Sequence, residues 1–254
     1  MYLEKFRLDG KTAIVTGGSR GIGMEIALAL SEAGANVVVV SRKLSALQDV
    51  VTEIEGNGGN GLAVAAHMGD LKALENLVKE TVEKFGSVDI LVNNAAINPK
   101  FGPVEDVDEA LFDKIVDVNL KGCMFLSNMV LEYMEKAGGG SIINLASVEA
   151  FSPSFGTSVY NITKASVVML SKVLAKEWAS KKIRVNTIAP GLIKTDFSEL
   201  FWSTDDILDI YLKDCPMGRI GDPAEVASIA LFLASEAASY TTGAVITVDG
   251  GYVL

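Results

Sequence analysis

The 254-residue chain is 49% hydrophobic and 21% charged, enough apolar material for one domain with a single large core. A formal net charge of −10 and a pI near 4.7 leave no broad basic face, which excludes nucleic acid and anionic membrane surfaces as general partners. The two cysteines, Cys123 and Cys215, lack the spacing of a metal site or a disulfide framework and read as buried small hydrophobes in a reducing compartment, so no metal is expected.

The opening MYLEKFRLDGK alternates charged and apolar side chains and has no apolar core of a signal peptide. No stretch reaches transmembrane length, and Tyr252-Val253-Leu254 is not a peroxisomal Ser-Lys-Leu address, so the expected location is the cytoplasm. Linkers, repeats and low-complexity runs are absent, and residues 1–254 read as one domain.

Residues 11–34, KTAIVTGGSRGIGMEIALALSEAG, organise the rest. A β-branched apolar run, 12–16, reads as a buried strand, and Met24, Ile26, Ala27, Leu30 and Ala33 recur at helical spacing. Between them lie Gly17, Gly18, Ser19, Arg20, Gly21, Ile22 and Gly23. Glycines there allow a sharp turn and close approach to a pyrophosphate, which the free N–H groups and positive dipole end of the helix would face. A plain strand-to-helix turn can also use glycine, but the strand and helix that a dinucleotide fingerprint requires flank this one on both sides.

Residues 36–41 form a valine run that reads as a strand buried on both faces. Its end is where a dinucleotide site reads the adenosine ribose. An acid there would bind a free 2′-hydroxyl and repel a 2′-phosphate; this chain has Ser41-Arg42-Lys43. Arg42 and Arg20 could bracket a 2′-phosphate, or both could be solvated surface arginines. The missing acid favours NADP(H), with NAD(H) as the alternative.

Downstream the pattern continues: a helix at 44–55, a glycine-rich loop at 56–61, and a third strand at 62–66 followed by His67-Met68. A helix at 71–85 precedes a fourth strand at 88–92, which ends in Asn93-Asn94-Ala95-Ala96. A long helical stretch at 107–136 contains Asn119, mildly unfavourable inside a helix. Strands at 141–147, 183–189 and 244–248 and helices at 157–178 and 223–235 complete the alternation. Residues 192–214 carry Phe197, Leu200, Phe201, Trp202, Ile207 and Leu208 and read as a substrate lid. The expected fold is α/β: a single-domain, Rossmann-type, doubly wound seven-stranded parallel sheet with helices on both faces.

Tyr160 and Lys164 stand four apart on one helix face, following the strand-end Ser147 and preceding Pro190-Gly191. Hydride transfer from a reduced nicotinamide to a carbonyl builds charge on oxygen, which needs a proton and a hydrogen-bond donor. Tyr160 can supply the first and Ser147 the second. In the reverse direction Tyr160 must act as base against an ordinary phenol pKa near 10, and Lys164 with an oxidised nicotinamide would stabilise the phenolate.

The T-G-x-x-x-G-x-G spacing of Gly17, Gly21 and Gly23, the Asn-Asn-Ala-Ala strand end and the Asn119, Ser147, Tyr160, Lys164 set resemble the short-chain dehydrogenase/reductase family over essentially the whole chain. NAAINPKFG, SPSFGTSVYNITK and APGLIKTDFSELFW are most similar to its NADPH-dependent carbonyl and retinal reductase branch. The resemblance implies that Lys164 also holds the nicotinamide ribose, that Asn119 sits at a helix kink and positions a water, and that Thr195 orients the carboxamide. It adds Asn94 and Ala95 beside the ribose and Pro190, Gly191 and Ile193 as further cofactor-binding residues. His67 and Met68 would neighbour the adenine, His67 replacing the family's usual aspartate, while Ala96 replaces a glycine. Homotetramers or homodimers are implied as well.

The function expected is oxidoreduction between NADP(H) and a small-molecule carbonyl or secondary alcohol: an apolar ketone, a quinone or a retinal-like compound. Ser147, Glu149, Phe151, Tyr160, Phe197 and Trp202 are the candidate substrate residues, although an apolar segment such as 192–214 also suits packing on a neighbouring subunit. A 3-oxoacyl-carrier-protein reductase or an NAD-dependent sugar or polyol dehydrogenase of the same family is the alternative. A non-catalytic dinucleotide sensor is the reading from a different class, and such a protein has no reason to keep the Tyr, Lys and Ser together.

Overall fold

In the computed structural model, which describes residues 1–254, the apolar runs become seven strands of one parallel sheet. β1 (Thr12–Thr16), β2 (Asn36–Ser41), β3 (Asn60–Ala65), β4 (Ile90–Asn93), β5 (Gly140–Leu145), β6 (Ile183–Pro190) and β7 (Val245–Val248) lie in the order β3-β2-β1-β4-β5-β6-β7. The connections carry α1 (Gly21–Glu32), α2 (Leu44–Gly56), α3 (Leu71–Phe85), α4 (Glu109–Val116), α5 (Gly122–Lys136) and α6 (Ser158–Trp178). Between β6 and β7 come two short helices, α7 (Glu199–Trp202) and α8 (Asp205–Asp214), then α9 (Pro223–Ala234).

Strand periodicity decides which side chain enters which core. Val15, Val37 and Val39 point into a cluster of 25 buried residues that includes Ile26 and Leu30 of α1, Leu47 of α2 and Leu233 of α9. Ile14, Val38 and Val40 point the other way, into a cluster of 21 with Leu74 of α3, Leu126 of α5 and Leu174 of α6. Each such side chain gains about 1.5–3 kcal/mol from burial, so a one-residue register slip would be strongly opposed on both faces.

Three helices begin on an aspartate cap. Asp70 accepts from the amides of Lys72 and Ala73, Asp108 from Leu111, and Asp222 from Ala224. Each cap contributes about 1 kcal/mol. α1 has neither a side-chain cap nor an acid in its first turn. The chain leaves β1 for β2 and β3 on one side and returns to β4 on the other, which opens a crevice at the C-terminal ends of β1 and β4.

Some boundaries differ from expectation. Residues 56–61 are not all loop: Gly56 ends α2 and β3 starts at Asn60, whose side-chain amide donates to Asn36 Oδ1 at 3.0 Å. The helical stretch 107–136 is interrupted, because Asp117–Lys121 form a π-helical turn between α4 and α5. A short 3-10 helix, Leu3–Phe6, adds an element that periodicity did not mark.

Candidate active site

The glycine turn is closed by close approach. Gly17 has φ +68°, and a Cβ there would lie 2.7 Å from Asn94 Nδ2. A Cβ on Gly23 would lie 2.3 Å from the Gly17 carbonyl oxygen, so α1 can start tight against the turn only with glycine. Asn94 ties the two strand ends together: its side chain donates to the carbonyls of Thr16 at 2.9 Å and Gly17 at 3.3 Å, and its amide donates to Thr16 Oγ1 at 3.0 Å.

Above these strand ends runs a cleft of about 560 Å³. Gly17, Ser19, Arg20, Gly21, Ile22, Gly23, Ser41, Arg42, His67, Met68, Asn94 and Ala95 line it, as do Tyr160, Lys164, Pro190, Gly191, Ile193 and Thr195. The uncapped N-terminus of α1 is a suitable seat for a pyrophosphate. Glycines that exclude a Cβ, free amides and a roomy cleft together fit a dinucleotide.

Two polar residues of this half have partners within the protein. Arg20 donates to Asp196 Oδ2 at 2.9 Å, both side chains well exposed at 70% and 65%, and so bridges the glycine turn to the segment after β6. Arg42 makes no ion pair. His67 is exposed, and its Nδ1 accepts from the Gly69 amide at 3.1 Å, which closes the turn before α3.

β5 and α6 bring Ser147, Tyr160 and Lys164 to one wall of the cleft. The Ser147 hydroxyl accepts the Glu149 amide at 3.2 Å, leaving its proton free to be donated. Lys164 is 3% exposed; its Nζ donates to the Leu145 carbonyl at 2.6 Å and stands 5.5 Å from the centre of the Tyr160 ring. Burial pushes the Lys164 ammonium down to about 8. Burial raises the Tyr160 phenol above its ordinary value, the Ser147 hydroxyl pulls it back, and the Glu149 carboxylate adds to the rise. Desolvation by the protein therefore keeps this phenol protonated, the form a general acid needs.

Asn119 lies in the π-helical turn, outside the cleft lining. Its Oδ1 accepts from the Ile97 amide at 2.8 Å, and its Nδ2 donates to the Ile97 carbonyl at 3.0 Å and to Thr163 Oγ1 at 3.2 Å. The carboxamide braces the segment after β4 against α6, one residue from Lys164. Functional sites often carry such widened turns.

At the other end the walls are aromatic. Phe197 lies 6.0 Å from the Tyr160 ring between centroids, Phe201 meets Phe101 edge-on at 5.3 Å, and Tyr211 stacks on Tyr252 at 4.5 Å. All six line the cleft, and Glu149 lies among them. Phe151 and Trp202 do not: Phe151 is 49% exposed, and the Trp202 indole donates to the Thr195 carbonyl at 2.9 Å. Phe201 and Trp202 are neighbours on one short helix, pointing about 100° apart, and a composition-based reading has no means of choosing between them.

The family model described as Enoyl-(Acyl carrier protein) reductase matches residues 17–253. The human protein named Dehydrogenase/reductase SDR family member 4 is 43% identical over 244 residues, covering 96% of this chain and 88% of its own. The chain belongs to the short-chain dehydrogenase/reductase family. Among solved members of the family, a 7 alpha-hydroxysteroid dehydrogenase complexed with NADH and 7-oxo glycochenodeoxycholic acid superposes with TM-score 0.94 at 38% identity, covering 98% of this chain and 96% of that one. A Beutenbergia cavernae protein described as an NAD(P) dependent gluconate 5-dehydrogenase, with NADP at low occupancy, superposes with TM-score 0.93 at 36% identity, covering 98% of this chain and 99% of that one.

Membership makes this chain an oxidoreductase, and short-chain dehydrogenase/reductase neighbours hold either nicotinamide cofactor. No helix is long and apolar enough to cross a membrane. The candidate substrate residues leave out Phe101 and Tyr252, and also Phe201 and Tyr211, which the sequence places only within the 192–214 segment. For Tyr252 a signal existed: Asp249-Gly250-Gly251 is a turn sequence, and both glycines take positive φ, folding the last residues back over the cleft.

Proposed function

We propose that this short-chain dehydrogenase/reductase is an NADP(H)-linked reductase of uncharged, apolar carbonyls such as ketones, quinones or retinal-like compounds. The observation that carries this reading is the set of aromatic rings from Phe101, Phe197, Phe201, Tyr211 and Tyr252 around the Tyr160 and Ser147 hydroxyls. Such a wall gives mainly hydrophobic contact, with the Tyr211 and Tyr252 hydroxyls and the Glu149 carboxylate as its few polar points.

A bound nicotinamide supplies the hydride. Tyr160 gives its phenolic proton to the carbonyl oxygen, and Ser147 donates a hydrogen bond to the same atom as charge develops there. Lys164 stabilises the phenolate left behind and reaches toward the nicotinamide ribose. Asn119 holds the α6 face at its working distance from β4, and Thr195 orients the carboxamide. Ser41 and Arg42, at an acid-free β2 end, receive the 2′-phosphate, with Arg20 free to join once it leaves Asp196.

That ion pair supports the second reading, an NAD(H)-linked sugar or polyol dehydrogenase, since an Arg20 that stays on Asp196 contributes nothing to phosphate recognition. Assembly into homodimers or homotetramers is proposed through α5 and α6, where Met124, Phe125, Ile162 and Met169 are exposed. The free buried thiols of Cys123 and Cys215 suit a cytoplasmic location.

The test is loss of nicotinamide absorbance with NADPH and NADH in parallel, against aliphatic and aryl ketones, α-diketones, retinal, 3-oxoacyl esters and keto-sugar acids. Faster turnover of apolar carbonyls with NADPH supports the proposal. Preference for NADH with keto-sugar acids establishes the second reading in its place.

A further inference from the structure

Glu149 has no part in the chemistry described above, yet its carboxylate is built into the substrate wall. It follows β5 by a few residues, on the 3-10 turn Val148–Ala150, and its own amide donates to Ser147 Oγ. Its Oε2 accepts from the Ser154 amide at 2.7 Å and from Thr157 Oγ1 at 3.3 Å, and its Oε1 accepts from Ser154 Oγ at 2.6 Å. Every partner donates, as an ionised carboxylate requires. The side chain is part-buried and fixed, so its charge stays where the fold puts it, in the cleft beside the hydroxyls that must meet the substrate.

Of the cations along the cleft, Lys164 is the one seen beside the reacting hydroxyls, 5.5 Å from the centre of the Tyr160 ring, and no cation pairs with the Glu149 carboxylate. Arg20 is spent on Asp196, and Lys164 Nζ is turned to the Leu145 carbonyl. Arg42 follows β2, which is three strands from β5 in the sheet, roughly 14 Å away at ordinary strand spacing. Lys114, on α4, is the remaining lining lysine. The field of the Glu149 carboxylate is felt at both hydroxyl-bearing rings near it, where it opposes ionisation of Tyr160 and of Tyr252.

The geometry points to Glu149 as the residue that selects substrates by charge: the pocket admits carbonyl compounds without a negative charge near the reacting group and rejects those bearing a carboxylate there. This inference rests on the carbonyl-reductase reading and narrows it, setting α-keto acids and keto-sugar acids apart from their esters. One unit charge acting through a partly screened, low-dielectric pocket discriminates by about tenfold or more.

The experiment compares ethyl benzoylformate with benzoylformate, the same ketone with and without a carboxylate, in the wild type, Glu149→Gln and Glu149→Asp. Loosening of the 154–157 segment would slow both substrates alike, whereas loss of the charge changes their ratio. The expected result is a wild-type preference for the ester in kcat/KM that falls about tenfold or more in Glu149→Gln and persists in Glu149→Asp. Melting curves of each variant report whether the fold is intact. An ester-to-acid ratio that stays within twofold in Glu149→Gln, with turnover present, overturns the inference alone. An equal fall of the ratio in Glu149→Asp also overturns it, since the charge is retained there. Absence of ester turnover with both NADPH and NADH in the wild type overturns the carbonyl-reductase reading and this inference together.

Discussion

The two ends of the cleft are built on different principles. At the α1 end the wall is backbone: a glycine turn, free amides, and strand ends tied by Asn94 to the Thr16 and Gly17 carbonyls. At the other end the wall is side chains, contributed by segments far apart in sequence, from Phe101 through Glu149 and Phe201 to Tyr252. A backbone wall fails when an atom is added to it and is nearly indifferent to its neighbours' side chains. A side-chain wall can be rewritten residue by residue without disturbing the sheet, which is how one fold serves many substrates.

The largest test of that contrast lies where the ends meet. Tyr160→Phe removes only the phenolic oxygen; turnover should fall by about a thousandfold, while cofactor affinity, followed by fluorescence titration, changes little. Unchanged turnover would mean that another group supplies the proton. Next, Gly23→Ala puts a methyl 2.3 Å from the Gly17 carbonyl, and backbone must move to admit it. Cofactor affinity should drop by about a hundredfold, with a loss of roughly 2–3 kcal/mol of stability in urea titrations. If the alanine variant binds cofactor normally, the backbone wall is less rigid than described.

Lys164 offers a pH test of comparable size. Burial lowers it from 10.5 to about 8, so between those values the unfolded chain binds the extra proton. Stability from this group therefore rises with pH across that window, and is at its poorest below pH 8, where the folded protein must bury the charge. Relative to Lys164→Met, the wild type should gain on the order of 3 kcal/mol from pH 7.5 to 10.5. Taking this difference cancels most of the opposing effect of the Tyr160 and Cys123 hydroxyl and thiol, both raised by burial. A flat difference would show that Lys164 is solvated. The smallest effect separates two neighbours on α7: Phe201→Ala should raise KM for an apolar ketone about tenfold, whereas Trp202→Phe should leave it within about twofold. Equal effects would erase the distinction between lining and anchoring residues.

How much of this was legible follows from the same contrast. Strand and helix alternation, the glycine turn and the Tyr160, Lys164 face depend on short-range periodicity, and the seven parallel strands and the cleft position follow from it. Which of Phe201 and Trp202 faces inward depends on helix phase over four residues, too short a run to carry a period. The place of Arg20 in the turn is legible in the sequence, whereas its ion pair with Asp196, 176 residues away, is not. Glu149 is legible in the sequence only as a neighbour of Ser147, because the two residues that fix its carboxylate, Ser154 and Thr157, lie in an irregular segment that no periodicity describes.

The π-helical turn at Asp117–Lys121 has a consequence of rotation. It inserts one residue more than the winding of an α-helix requires, so everything after it is turned by about 100° relative to an uninterrupted helix. With that offset Gly122 fits flush against the Met68 carbonyl, where a Cβ would lie only 2.3 Å away, and Cys123 and Ser127 reach the buried amides of Asn144 and Asn93. The extra residue acts as a gear tooth: it lets one continuous rod present Asn119 to Ile97 and α6 at one point and a buried polar seam to the sheet a turn later. Winding the same residues as an uninterrupted α-helix would throw every later contact out of phase, whereas deleting one residue at this turn would keep those contacts in phase and remove the widened turn that carries Asn119.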